Sequence, residues 1–110
     1  MSAIPFNSVT ELKEQLATGK TTSVEITEIL LDRIAKHSDL NCFTEIQRER
    51  SLEEARDADK KLKAGEKAPL LGIPVAIKDM ILVKDWKATA ASKILKDFSA
   101  PYDATVIKKI

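Results

Sequence analysis

The most constraining feature of this sequence is an alternating apolar stretch, PLLGIPVAIKD, that runs from Pro69 to Asp79. Side chains on a β-strand alternate between two faces. One face of this stretch would carry branched apolar side chains, those of Ile73, Val75 and Ile77. The opposite face would carry small residues until it reaches the amine of Lys78. The alternation therefore predicts a strand from Gly72 to Lys78, with the rest of the chain supporting it.

Lys78 has two interpretations. A lysine at the end of an apolar strand could lie where water is scarce, which favours the neutral amine that accepts a proton. It could equally end the strand and extend its amine into solvent, as most lysines do. The local pattern by itself favours the second, purely structural interpretation.

Composition limits the classes of protein to which the chain can belong. Of its 110 residues, 44% are hydrophobic and 32% are charged, enough for one soluble domain with a modest core. The net charge is +1 with both signs interspersed, so a concentrated basic face for nucleic acid is not expected. No apolar run approaches the roughly 20 residues of a membrane span, and no signal-peptide pattern opens the chain. We expect a cytoplasmic protein that binds neither nucleic acid directly nor a membrane.

The single cysteine and the single histidine exclude two further kinds of site. Cys42 cannot form an internal disulfide, and together with His37 it makes no set that could hold zinc. We predict that Cys42 packs within the fold, since the sequence offers no base to activate it. His37 is expected to end a helix rather than to act as a base.

Two capping-box patterns predict where the first helices begin. A hydroxyl residue stands three positions before a glutamate at two places, Ser8 before Glu11 and Thr22 before Glu25. The second is followed by a wide apolar stripe up to Lys36 and His37. A third helix, rich in charge and with a narrow apolar seam, is predicted from about Gln47 to Ala64. Residues 1–68 are therefore expected to form a mainly helical part.

Shorter elements are predicted around these helices. The segment from Cys42 to Ile46 alternates and predicts a second short strand. Ile94 and Leu95 are expected to be buried. Asp103 is a candidate N-cap for a C-terminal helix.

Three blocks in the second half, taken together, resemble the amidase signature family. They are GIPVAIKD at Gly72–Asp79, TAASKIL at Thr89–Leu95 and PYDATV at Pro101–Val106, in the order and spacing expected there. The N-terminal part is also similar, so the resemblance covers essentially the whole chain. It implies an α/β fold, the N-terminal fragment of the amidase fold, with helices and two or three short strands. Residues 69–110 would begin the amidase core, truncated at its C-terminal end.

The resemblance also implies a chemistry and one catalytic residue. Members of the family hydrolyse amides through an acyl-enzyme, with a serine nucleophile, a bridging serine and a lysine base that matches Lys78. The Gly/Ser-rich segment that holds both serines has no counterpart here. Ser92 belongs to the TAASKIL block, and Ser99 precedes the PYDATV block. Two departures from the family pattern are Met80, where Asn is expected, and Asp85, where Gly is favoured.

Two functional hypotheses follow from the resemblance. In the first, the chain is a piece of a subunit that releases ammonia from glutamine for ATP-dependent amidation of glutamate on tRNA, in complex with other subunits. With Lys78 but neither serine it would be inactive alone, and it would bind no cofactor or metal itself. In the second, it is a truncated non-enzymatic relative that binds itself or a partner. Open strand edges predict a homodimer or exchanged elements, and the absence of a helix stop signal before Ile110 fits a truncated chain.

Overall fold

The computed structural model describes residues 5–110, which divide into two compact units. The first unit extends through Pro74 and contains α1 (Val9–Ala17), α2 (Ser23–Lys36), a short 3-10 helix (Ser38–Leu40) and α3 (Arg48–Lys63). The second unit, Val75–Ile110, consists mostly of turns and contains α4 (Thr105–Lys109). None of the helices within residues 5–110 is long and apolar enough to cross a membrane.

Helix α1 begins where its capping pattern predicts. The Ser8 hydroxyl accepts a hydrogen bond from the Glu11 backbone N–H at 3.1 Å. The Glu11 carboxylate reaches back one residue further than expected and accepts from the backbone N–H of Asn7 at 2.8 Å. Helix α1 ends at Ala17, and Gly19 follows at φ +71°. Both ends of the helix are therefore set by local sequence.

Helix α2 begins with a complete capping box. The Thr22 hydroxyl accepts from the Glu25 N–H at 3.1 Å, and the Glu25 carboxylate accepts from the Thr22 N–H at 3.0 Å. The helix ends at Lys36 with His37 as its C-cap, which confirms the expected position of that histidine. Helix α3 runs from Arg48 to Lys63, within one residue of the prediction at each end.

The core of the first unit lies between these helices. Its buried members are Leu12, Leu16 and Ile26, with Phe6, Leu30, Leu62 and Ile73 packed against them. Burying one such side chain contributes roughly 1.5–3 kcal/mol to stability. Helices α2 and α3 pack on each other, and α3 buries Leu52 and Ala55 of its predicted seam.

A loop at Gly72 closes the first unit. Gly72 has φ +81°, and a Cβ placed there would lie 3.0 Å from Leu62 Cδ1. Its carbonyl oxygen accepts a buried hydrogen bond of 2.9 Å from the Ser23 hydroxyl at the start of α2. Two features favour glycine at this position, the left-handed backbone and the close approach of the Leu62 side chain of α3.

An antiparallel backbone pairing organises the second unit. It joins residues 85–88 to residues 98–100 through a bridge between Lys87 and Ser99, with hydrogen bonds of 2.8–3.1 Å. Ala88 and Ala100 are buried at this pairing. The pairing is too short to form a named strand.

Both predicted strands are wrong. Neither Cys42–Ile46 nor Gly72–Lys78 forms a strand, and no strand is present within residues 5–110. Val75 and Ile77, expected on a buried face, are 52% and 38% exposed. An alternating pattern identifies which side chains share a face, but a strand also needs a neighbour for its backbone groups, and none lies alongside. The described residues are therefore helical and irregular rather than α/β.

Three smaller predictions are also wrong. Cys42 is exposed rather than packed, and Ile94 and Leu95 are 94% and 37% exposed rather than buried. Asp103 does not cap α4, whose N-cap is Ala104. The Asp103 carboxylate instead accepts a 2.7 Å hydrogen bond from the backbone N–H of Lys84, because an acceptor near a turn can serve any free N–H within reach.

Candidate active-site lysine

Lys78 lies at the end of a segment without helix or strand, residues 75–78, that opens the second unit. Its side chain is exposed, and its amine makes no hydrogen bond or ion pair with any residue from 5 to 110. Its carbonyl oxygen accepts from the N–H groups of Met80 and Ile81, at 2.8 and 2.9 Å. The backbone therefore turns sharply just after the lysine, while the amine stays free to meet another group.

Asp79, the next residue, is tied to a loop ten residues further along. Its carboxylate accepts one hydrogen bond from the Thr89 N–H at 2.9 Å and a second, short one from the Thr89 hydroxyl. Its backbone carbonyl accepts from the Ala90 N–H at 2.8 Å. Three hydrogen bonds thus fix the residue that follows Lys78. We call this arrangement of Asp79 with Thr89 and Ala90 the Asp79 clamp.

The loop held by the clamp has an unusual backbone. Ala90 and Ala91 adopt φ values of +46° and +58°, in the left-handed region that non-glycine residues rarely occupy. The Thr89 hydroxyl accepts from the Ala91 N–H at 3.3 Å, and the Thr89 carbonyl accepts from the Ser92 N–H at 2.8 Å. Such a conformation persists when surrounding contacts hold it, and Thr89 supplies several of them.

The two serines of this region are engaged in local structure. The Ser92 hydroxyl accepts from the Ile94 backbone N–H at 3.2 Å. Ser99 lies in the backbone bridge with Lys87 and is exposed. Neither has a histidine, aspartate or lysine side chain bonded to its hydroxyl among the described residues, as an activated nucleophile would need.

The two departures from the family pattern occupy different environments. Met80 is 61% exposed, directly after the clamp residue. Asp85 sits in a turn at φ +66°, a conformation that glycine adopts freely and that aspartate tolerates better than most residues. A glycine, which the resemblance leads us to expect here, would fit the same left-handed turn that Asp85 adopts.

Sequence reasoning identifies Lys78 but misses Asp79 and Thr89 as a pair. Asp79 ends the GIPVAIKD block and Thr89 opens the next block, yet no spacing rule relates residues ten positions apart across an irregular turn. The available signal is their membership in two adjacent blocks of one family. The contact between Asp79 and Thr89 is seen only in the folded structure.

The sequence of this region matches a known protein family. A family model, Amidase, matches residues 25–110, which include the Lys78 segment and the Asp79 clamp. The match covers well over half of the chain. The chain therefore belongs to the amidase family.

Within this family, the chain is similar to particular proteins that share one name. The chain is 47% identical to the A subunit of the glutamyl-tRNA(Gln) amidotransferase of Dechloromonas aromatica (strain RCB), over 94% of this chain and 21% of that protein. It is 45% identical to the corresponding protein of Thermobifida fusca (strain YX), with the same coverage. The Cupriavidus necator protein of this name is 38% identical over 99% of this chain and 22% of its own length. The chain resembles the N-terminal portion of these proteins and spans about a fifth of their length.

Proposed function

We propose that this chain supplies the N-terminal part and the lysine base of an amidotransferase subunit that hydrolyses glutamine. The observation that carries the proposal is the family match across residues 25–110 together with 47% identity to one such protein. The exposed, unpaired amine of Lys78 is consistent with a group that acts on a partner segment. The ammonia released would serve amidation of glutamate on tRNA(Gln), with ATP and the other subunits of the complex as further participants.

The role of Lys78 in this proposal is proton transfer. A serine hydroxyl is a poor nucleophile until a base removes its proton, and a neutral amine can do so through a second hydroxyl. Residues 5–110 contain no hydroxyl bonded to the Lys78 amine. We therefore expect the chain to hold one member of the catalytic set and to be inactive on its own.

The first experiment measures ammonia release from glutamine by the 110-residue chain and by its Lys78→Ala variant. We expect both to remain at the background rate, because base and nucleophile act as a unit. Activity in the parent that disappears in Lys78→Ala would reveal a nucleophile within these residues and would contradict the incomplete catalytic set.

The second experiment tests the lysine in a complete subunit. In a hybrid subunit, this chain replaces the matching segment of the Dechloromonas aromatica protein, and the hybrid is assembled into its amidotransferase. We expect Lys78→Ala to lower ammonia release roughly 100- to 10,000-fold, the usual contribution of a general base. Lys78→Arg should fall as far, because arginine keeps the charge but does not give up its proton.

Lys67→Ala is the matched control for this experiment. Lys67 is also exposed, and its amine makes no hydrogen bond or ion pair with a described residue, so its removal should leave ammonia release unchanged. Full activity in the Lys78→Ala hybrid would refute the assignment of the base.

A second function is favoured by one observation. The irregular segment 75–78 pairs with no neighbouring backbone segment among the described residues, and it exposes Val75 and, just beyond it, Met80. Unpaired edges and apolar side chains bind other chains, which suits a non-enzymatic module that pairs with a second copy or a partner. The encoding reading frame separates the two functions: continuation past Ile110 into a Gly/Ser-rich segment supports the amidase subunit, and a natural stop codon supports the module.

A further inference from the structure

The Asp79 clamp joins the residue after Lys78 to the loop at Thr89. Asp79 accepts hydrogen bonds with its carboxylate from both the N–H and the hydroxyl of Thr89, and with its carbonyl from the Ala90 N–H. Asp79 and Thr89 are half-buried. A carboxylate that accepts two bonds from one residue fixes orientation as well as distance.

Thr89 also makes a hydrogen bond within its own loop, to Ala91. Its hydroxyl donates to Asp79 and accepts from Ala91, so one oxygen links the clamp to the two left-handed residues. Ala90 and Ala91 would relax towards ordinary backbone angles if these bonds were lost. The loop and the turn after Lys78 are therefore one coupled arrangement.

Lys78 lies directly at the edge of this arrangement. The Lys78 carbonyl accepts hydrogen bonds from the N–H groups of Met80 and Ile81, and the next residue, Asp79, is held by the clamp. The Lys78 amine makes no hydrogen bond or ion pair with a described residue. The clamp therefore constrains the backbone from which the Lys78 side chain extends, and with it the region that the amine can reach. A base contributes only when it lies within hydrogen-bond reach of its proton, and small displacements lower the rate steeply.

We infer that Asp79 and Thr89 are positioning residues that orient Lys78 through its backbone. The inference rests on the proposed function, because it assigns a purpose to the clamp only if Lys78 is the base. It predicts that breaking the clamp slows the chemical step and leaves substrate binding unchanged.

The variants that test it differ by one group. Thr89→Val removes the hydroxyl and keeps the shape, and Thr89→Ser restores the hydroxyl. Asp79→Asn keeps an acceptor for the Thr89 N–H but replaces the second carboxylate oxygen by an amide. Thr44→Val is the control for the chemical change, since Thr44 is exposed and its hydroxyl makes no hydrogen bond with described residues.

The first measurement is amide hydrogen exchange on the 110-residue chain. We expect Thr89→Val to speed exchange at Ala90 and Ala91 about 10-fold or more, since their acceptors are lost or displaced. Thr89→Ser and Thr44→Val should match the parent. Unchanged exchange in α1–α3 would establish that any effect is local.

The second measurement is steady-state ammonia release by the hybrid subunit. We expect Thr89→Val and Asp79→Asn to lower kcat roughly 10- to 100-fold with little change in KM, and Thr89→Ser to recover most of the rate. A merely structural clamp would change the amount of folded hybrid and not the kcat of the folded fraction. If Thr89→Val does not fold, the kcat of Asp79→Asn tests the positioning role.

The outcomes separate the two proposals. Loss of activity in Lys78→Ala together with parental kcat in folded Asp79→Asn and Thr89→Val would overturn the positioning role and leave the lysine base standing. A rise in KM at unchanged kcat would overturn it as well. Full activity in Lys78→Ala would refute the proposed base and the positioning role with it.

Discussion

At the scale of single residues, Gly72 is constrained both by its own backbone and by its neighbours. Its backbone is left-handed at φ +81°, and the space beside it is occupied by Leu62 at 3.0 Å and Leu16 at 3.4 Å from where a Cβ would be. Gly65 has a similar φ of +84°, but nothing lies within 4 Å of its absent Cβ. The two glycines thus separate the backbone requirement from the packing requirement.

We predict that Gly72→Ala lowers the free energy of unfolding by about 2–4 kcal/mol, the sum of left-handed backbone strain and overpacking. Gly65→Ala should lose only the backbone part, about 1–2 kcal/mol. Urea denaturation followed by circular dichroism measures both. Equal losses in the two variants would show that Leu62 and Leu16 move aside without cost.

At the scale of elements, the N-terminus of α2 is hydrogen-bonded to a side chain of α3. The first N–H groups of a helix have no partner within it. Those of Ser23 and Val24 donate to the Asp59 carboxylate of α3, at 2.7 and 3.1 Å, and that of Glu25 donates to Thr22. A residue 36 positions away thus completes a cap that local sequence begins.

We predict that Asp59→Ala destabilises the first unit by about 1–3 kcal/mol, because it leaves two backbone donors without their charged acceptor. Asp57→Ala is the matched control on the same helix. Asp57 forms an exposed pair with Lys60 at 3.1 Å, and its loss should change stability by less than about 0.5 kcal/mol. Thermal unfolding of the two variants makes the comparison, and equal midpoints would contradict the bridging role of Asp59.

At the scale of the whole molecule, the chain leaves apolar groups uncovered. Val75 is 52% exposed and Met80 is 61% exposed, along a backbone that has no neighbour among residues 5–110 to pair with. Backbone groups without a partner offer hydrogen-bonding sites to a second copy of the chain. The homodimer expected from the sequence therefore stays a prediction, and the surface around Val75 and Met80 is where we expect the two copies to meet.

We predict that sedimentation equilibrium will detect dimers whose fraction rises with protein concentration. Val75→Glu should shift the equilibrium towards monomer, since it places a charge on the pairing edge. Val9→Glu is the control, because Val9 is 50% exposed on α1, where an acid near the helix start is tolerated. A compact monomer over a wide concentration range would contradict the prediction.

The sequence by itself determined the local elements and the family. Capping boxes at Ser8 and Thr22 set the starts of α1 and α2 because the bonds involved span only three or four residues. Helix periodicity located α3 for the same reason. The three motif blocks identified the amidase family, and they make Lys78 the candidate base, a role that stays a prediction.

The tertiary structure alone decided what those elements touch. The alternation at 72–78 is real, yet no strand forms there, because a ladder requires a partner that local pattern cannot supply. The Asp59 cap joins residues that are 35 and 36 positions apart in the sequence. The bond between Asp79 and Thr89 in the clamp joins residues that are 10 positions apart. Asp103, a candidate cap for α4 by its position, instead serves Lys84, 19 positions away. Local sequence fixes which groups need a partner, and only the folded chain decides which partner lies within hydrogen-bonding distance.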